Sequence, residues 1–239
     1  MSQGREGITG LAKRLEMVRQ RIAAAARRSH RSTDEITLLA VTKTHPADTV
    51  RNALALGVAE LGENRVQEAE SKIEALGHGA ARWHLIGHLQ ANKARRAVKL
   101  FDVIHSVDSA ALAARLDRHC AEEAREPLPV FLQVDLGEEP TKSGVDISEL
   151  TGLAQTVRDC HHLQLTGLMT LPPFCSEAEE VRPYFKKLAQ LRDSLQAQGL
   201  FGDQQGQLSM GMSHDFEIAI EEGATIVRIG TALFGEREP

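Results

Sequence analysis

Cysteine is scarce in this sequence, and its spacing is uninformative. Cys120, Cys160 and Cys175 form an odd, scattered set with no Cys-x-x-Cys pair. That excludes a disulfide framework and lacks the spacing of a zinc site. Free thiols in a reducing compartment are expected, and no metal site. Positive charge is not in excess either. The 28 Lys and Arg against 33 Asp and Glu leave a net charge of −5, whereas non-specific nucleic-acid binding needs clustered positive charge. No apolar run approaches the roughly 18 residues of a membrane span. The segment from Met1 to Arg14 lacks the apolar core and small-residue cleavage site of a leader. The sequence therefore reads as a soluble, cytoplasmic protein, with no low-complexity stretch and no Pro/Gly/Ser linker.

What is present suits one barrel-sized domain. The 239 residues are 42% hydrophobic and 26% charged, enough for a large core without covalent staples. Ile8, Leu11, Leu15, Val18 and Ile22 recur at helical spacing, which predicts a leading amphipathic helix. Ile36–Val41 (ITLLAV) is a continuous apolar run, as a strand buried on both faces requires. Further strands are predicted at Ala59–Leu61, Trp83–Ile86, Val103–Val107, Val130–Val134, Leu165–Met169, Leu208–Met210 and Ile226–Ile229. Helical patterns fill 47–56, 64–76, 91–99, 109–125, 146–160, 177–198 and 214–222, and the short TALFG segment ends the series. Eight β-then-α units predict an α/β fold: a single TIM-type (β/α)8 barrel with an extra N-terminal helix. One domain is expected over residues 1–239, with the barrel in about 7–236.

Such barrels carry their chemistry on the loops at the C-terminal ends of the strands. Polar groups stand there: Lys43-Thr44-His45, Gly62-Glu63-Asn64, Gly87-His88, Asp135, Met210-Gly211-Met212-Ser213 and Arg228-Ile229-Gly230-Thr231. Lys43 ends an apolar strand. Alone it reads first as a side chain that snorkels to water, and second as a desolvated amine that forms an imine with an aldehyde. The last two strands of TIM barrels often make a phosphate site. Gly230 would admit an anion to the backbone, Thr231 adds a hydroxyl at a helix start, and Ser209 to Ser213 supply similar groups next door. Arg228, two residues before Gly230, shares its face. It would either lie opposite a pyridine nitrogen, holding it unprotonated, or pair with Asp135 or Glu63.

The segments AVTKTHP (40–46), LGENRVQE (61–68), WHLIGHLQANK (83–93), TKSG (141–144), LTGLMTLP (165–172) and LSMGMSHDFEIAI–VRIGTALFG (208–235) resemble the pyridoxal-phosphate homeostasis protein family. That family is similar to the barrel of the alanine racemases. The resemblance implies that Lys43 carries pyridoxal 5′-phosphate (PLP) as a Schiff base. It also implies that Asn64 meets the ring or its 3′ oxygen and that His84 packs near the ring. Ser209, Met210, Ser213, Gly230 and Thr231 would hold the phosphate, and Arg228 would face the pyridine nitrogen. Lys142 and Ser143, in TKSG, have no assigned role. Two functions compete: an intracellular carrier or regulator of PLP, handing the cofactor to apo PLP-dependent enzymes, and an amino-acid racemase. Racemisation by two bases needs one on each face of the substrate carbon. In the racemases, as the resemblance implies, the second is a tyrosine from an added domain. The sole tyrosine here, Tyr184, falls on the helix after strand six, and the sequence ends soon after Phe234. The reading is therefore a non-catalytic, monomeric PLP carrier.

Overall fold

The computed structural model describes residues 2–137, 143–173 and 175–236. Eight parallel strands close into a barrel in chain order. They are β1 (Thr37–Val41), β2 (Glu60–Glu63), β3 (Arg82–Leu85), β4 (Val103–Val107), β5 (Leu128–Val134), β6 (Leu163–Thr170), β7 (Gln207–Ser209) and β8 (Ile226–Ile229). β8 returns to pair with β1, Arg228 lying opposite Leu39. The predicted barrel is thus the observed fold. The helices are α1 (Ser2–Arg28), α2 (Ala47–Ala55), α3 (Val66–Leu76), α4 (Ala94–Leu100), α5 (Ala110–Glu122), α6 (Leu150–Asp159), α7 (Arg182–Ala197), α8 (Phe216–Glu221) and α9 (Thr231–Phe234).

Strand alternation splits the apolar residues into two cores. Leu39, Val41, Ile86, Val103, Phe131, Met169 and Ile226 pack together inside the barrel. Ala40, Leu61, Trp83, Leu85, Leu132, Leu168, Leu208, Val227 and Ile229 face outward into the helix layer. Both faces are buried, which is why the strands read as continuous apolar runs.

Helix limits differ from the sequence pattern where polar side chains bond the backbone. The stretch 214–222 becomes helix only from Phe216, because the Asp215 carboxylate accepts from the Met212 N–H (2.6 Å) and builds a turn first. Asp146 takes the Ser148 N–H at 2.7 Å, and α6 starts only at Leu150. Ser, Asn and Asp favour such local bonds over helix interiors.

The leading helix buries Leu11, Leu15, Val18 and Ile22, while Ile8 stays exposed. It packs on α8 and α9. Arg14 Nε donates to Leu233 O (2.7 Å), and Arg31 NH1 donates to Ala224 O (2.7 Å). α1 and the turn after it thereby hold the last β–α unit, which carries Arg228, Gly230 and Thr231. Leu15→Ala removes a fully packed anchor of this contact. Urea unfolding is expected to show a loss of about 2–5 kcal/mol, the usual cost of truncating a buried leucine.

Candidate functional site

Lys43 follows β1, in phase with the inward Leu39 and Val41, and lines a cavity of about 530 Å³ at the C-terminal mouth of the barrel. The backbone on both sides of it is pinned from outside the sheet. Thr42, fully buried, donates its hydroxyl to Glu63 Oε1 (2.5 Å). Lys72 of α3 donates to Thr42 O (2.6 Å), Glu63 Oε1 (2.6 Å) and Glu68 Oε1 (2.8 Å). The Thr44 N–H, at a residue with φ of 68°, bonds the Glu68 carboxylate. Positive φ is costly for a non-glycine residue, and this bond helps to offset it. Burial pushes the Glu63 carboxyl above its ordinary range, against the pull of Lys72 and Thr42.

Arg228 enters the same cavity from β8 and is buried. Its NH1 donates to Ser209 O (2.6 Å) and Ser209 Oγ (2.9 Å), and its NH2 donates to Thr170 O (2.8 Å). These acceptors are not carboxylates, and neither Asp135 nor Glu63 is an ion-pair partner. Glu63 is taken by Lys72, and Asp135 Oδ1 accepts from the Gly137 N–H at 3.0 Å. Burial lowers the Arg228 pKa to about 10, with Asp215 acting in the opposite sense. The guanidinium remains charged at neutral pH.

At the other end of the mouth, the Ser213 hydroxyl accepts the backbone N–H groups of Gly230 (3.3 Å) and Ala232 (3.1 Å). Met212 and Thr231 border the same recess. Gly211 makes this loop possible. Its φ is +90°, and a Cβ there would lie 2.5 Å from Ala219 Cβ and 2.9 Å from Phe216 Cα. Asn64 lines the opposite wall, and Gly87 crosses it so closely that a Cβ would collide with the Asn64 backbone carbonyl.

The cavity thus brings together Lys43, Asn64, Ser213, Arg228, Gly230 and Thr231, with Ser143 of TKSG beside them. Lys142 lies outside the described residues. Three expected residues do not line it. Met210 is fully buried among outward-facing apolar side chains. Ser209 has its hydroxyl engaged by Arg228 and by His105 Nδ1 (2.9 Å). His84 is buried among interior side chains with both nitrogens occupied. Its Nδ1 lies 2.8 Å from His105 Nε2 and its Nε2 lies 2.5 Å from Glu60 Oε2. The motif places these residues correctly along the strands; strand phase and depth carry their side chains elsewhere.

Some participants escaped the sequence reading. Gln133 lines the cavity and holds the Ser143 carbonyl through its Nε2 (2.5 Å). It sits in phase with the inward Phe131, which was the available signal. Lys72 interrupts the buried stripe of Val66, Ala69 and Ile73 on α3, an anomaly that marks a paired lysine. His105 gave no signal of its own. Adjacent His161 and His162 make a bend before β6, and no metal-binding cluster occurs among the described residues. No helix among them is long and apolar enough to cross a membrane.

The alanine racemase N-terminal domain family model matches residues 14–238. The pyridoxal phosphate homeostasis protein of Aquifex aeolicus is 43% identical over 226 residues, covering 95% of this chain and 98% of that one. That of Escherichia coli K12 is 42% identical over 233 residues, covering 95% and 97%. The chain belongs to the pyridoxal phosphate homeostasis protein family. A solved member, PipY of Synechococcus elongatus with PLP bound, is 41% identical, superposes with a TM-score of 0.80 and is covered completely by 94% of this chain. The alanine racemase of Corynebacterium glutamicum shares the fold alone: 17% identity and a TM-score of 0.72, over 97% of this chain and 62% of that one.

Two outcomes follow from the buried charges. Lys72→Met strands the Glu63 carboxylate and is expected to cost about 3–5 kcal/mol of unfolding free energy. The double variant Lys72→Met/Glu63→Leu should lose clearly less, because the only carboxylate left without Lys72 is Glu68, which is partly exposed and keeps the Thr44 N–H. His84 and His105 are held below the ordinary imidazole value of 6.5. Burial is the first cause for both, and for His105 the charges of His84, Arg228 and Arg82 add to it. The native state therefore binds fewer protons than the unfolded chain. Stability is full above the unfolded value and falls as pH drops through it. Denaturation at about pH 7.5 and about pH 5.5 should show the decline, and His105→Leu should make it shallower.

Proposed function

We propose that this chain holds PLP covalently on Lys43 and works in PLP homeostasis as a carrier, without the turnover of a PLP enzyme. The observation that carries the reading is the convergence of Lys43, Arg228 and the Ser213–Gly230–Thr231 corner on one 530 Å³ cavity. The residues fit the group. An amine meets an aldehyde, a permanently charged guanidinium meets a ring nitrogen, and two backbone N–H groups converge beside a serine hydroxyl where a phosphate oxygen would sit. Bound there, PLP would supply an aldehyde for amines and a ring that withdraws electrons. PLP is bound in the PipY relative, and the curated relatives are named for its homeostasis.

The protein side disfavours strong carbanion chemistry. Arg228 has no proton to give readily and holds a facing nitrogen unprotonated, which weakens the ring as an electron sink. Tyr184 lies on α7, half-buried against the outer core, and is not a cavity residue. A racemase remains the second reading because His45, His88 and His214 also line the mouth, and histidine is a common general base. As a carrier the protein acts as a monomer that passes PLP to apo-enzymes in the cytoplasm.

Borohydride treatment of the PLP-loaded protein, followed by peptide mass analysis, should place the label on Lys43. Lys43→Ala should lose the label and keep its melting temperature. Label at another lysine in that variant contradicts the assignment. Incubation with a panel of L- and D-amino acids in deuterated water should give no exchange above the background of free PLP, and PLP should pass to an added apo-enzyme. Turnover at about 1 per second or faster, the low end of ordinary enzymes, contradicts the carrier reading and favours the racemase.

A further inference from the structure

The barrel interior contains a polar chain that the cofactor cavity does not itself use. Arg228 NH1 lies 2.9 Å from Ser209 Oγ on β7. Ser209 Oγ is 2.9 Å from His105 Nδ1 on β4, across the barrel. His105 Nε2 is 2.8 Å from His84 Nδ1 on β3, and His84 Nε2 is 2.5 Å from Glu60 Oε2 on β2. His84, His105, Ser209 and Arg228 are all buried, and the Glu60 side chain is about a quarter exposed. His105 also stacks on Phe131, with ring centroids 4.3 Å apart. Five strands contribute to one continuous path from solvent at the Glu60 end to the guanidinium in the cavity.

Donor chemistry gives this path a direction. A guanidinium only donates, and a carboxylate only accepts. Burial works to raise the Glu60 carboxyl, but the bond from His84 and the Arg82 charge help to bring it below its ordinary range, so it is ionised. His84 Nε2–H must then donate to Glu60. With neutral imidazoles, His84 Nδ1 accepts from His105 Nε2–H, His105 Nδ1 accepts from the Ser209 hydroxyl, and Ser209 Oγ is left to accept from Arg228. Every proton points from Arg228 toward Glu60, and each tautomer is determined by its neighbours.

We propose that Glu60, His84 and His105 are positioning residues for the cofactor's ring nitrogen. Through Ser209 they orient Arg228 in the cavity. This rests on the PLP reading above. The chain presents a lone pair, not a proton, to the inner edge of the guanidinium, and keeps a second positive charge out of its surroundings. The groups facing the histidines are Glu60 and Arg82 on β2 and β3, Asp102 before β4, and Arg228 on β8.

The test compares PLP with 1-deaza-PLP, in which the ring nitrogen is replaced by C–H and nothing else changes. Wild type should bind PLP more tightly than the analogue. His105→Leu keeps the packing on Phe131 but ends the chain, and should shrink that preference about threefold to tenfold, one hydrogen bond's worth. Binding of the analogue should be unchanged. His105→Gln, which retains a donor and an acceptor, should restore most of the preference. Glu60→Leu acts from the remote, partly exposed end and should shrink it in the same sense. It also carries the test if His105→Leu fails to fold. A preference unchanged in folded His105→Leu, or in Glu60→Leu where His105→Leu does not fold, overturns the positioning role. An equal loss for both ligands overturns it too, since that is a general structural effect. Failure of the wild type to take up PLP on Lys43 would instead overturn the functional reading itself.

Discussion

Along each strand the side chains alternate between the barrel interior and the helix layer, and closure of eight strands leaves neither side to water. Most positions must therefore be apolar, and any polar one must find partners within the protein. This constraint gives the molecule both of its polar networks. Inward phase on β8 commits Arg228 to the interior, where it meets Ser209 and Thr170. Outward phase on β1 and β2 commits Thr42 and Glu63 to the space under α3, where Lys72 is the available cation. The loop carrying Lys43 is held by the second network and the Arg228 end of the cavity by the first.

The two buried cations are stabilised in different ways. Lys72 is a compact charge with three donors, and it has two carboxylates and a carbonyl within 2.8 Å. Arg228 spreads its charge and has neutral oxygens as acceptors. A carboxylate against Arg228 would compete with a ligand for the guanidinium. Neutral acceptors satisfy its protons and leave its charge to act on whatever enters the cavity. The contrast matches position: Lys72 holds structure, while Arg228 faces the mouth.

The fold was largely legible because fully buried parallel strands leave an unmistakable trace, short apolar runs separated by helical periods. Even β7, three residues long, was marked by LSM. The site was legible in part, and the expected residues that do not line the cavity share a cause. Sequence motifs give position along the chain, but a strand also has phase and depth. Ser209 and Met210 are neighbours in a motif, yet one points inward to Arg228 and the other outward among apolar side chains. His84 was expected near the ring on the family resemblance of its WH pair. It lies too deep on β3, and its phase directs it to His105. That pairing depends on β3 and β4 being adjacent, a tertiary fact with no local signature. Gln133 could have been found by counting two residues on from Phe131.

The separation of the networks by the sheet bears on how the site is built. Lys72, Glu63, Glu68 and Thr42 lie on the outer side; Glu60, His84, His105, Ser209 and Arg228 lie on the inner side; no residue belongs to both. Interior packing transmits strain when side chains share contacts, but groups without shared partners contribute additively. The lysine end and the arginine end of the cavity are thus held by independent means, joined only through the backbone of β1, β2 and β8. On the proposed carrier reading, such an arrangement lets the lysine end loosen without disturbing the guanidinium at the other end.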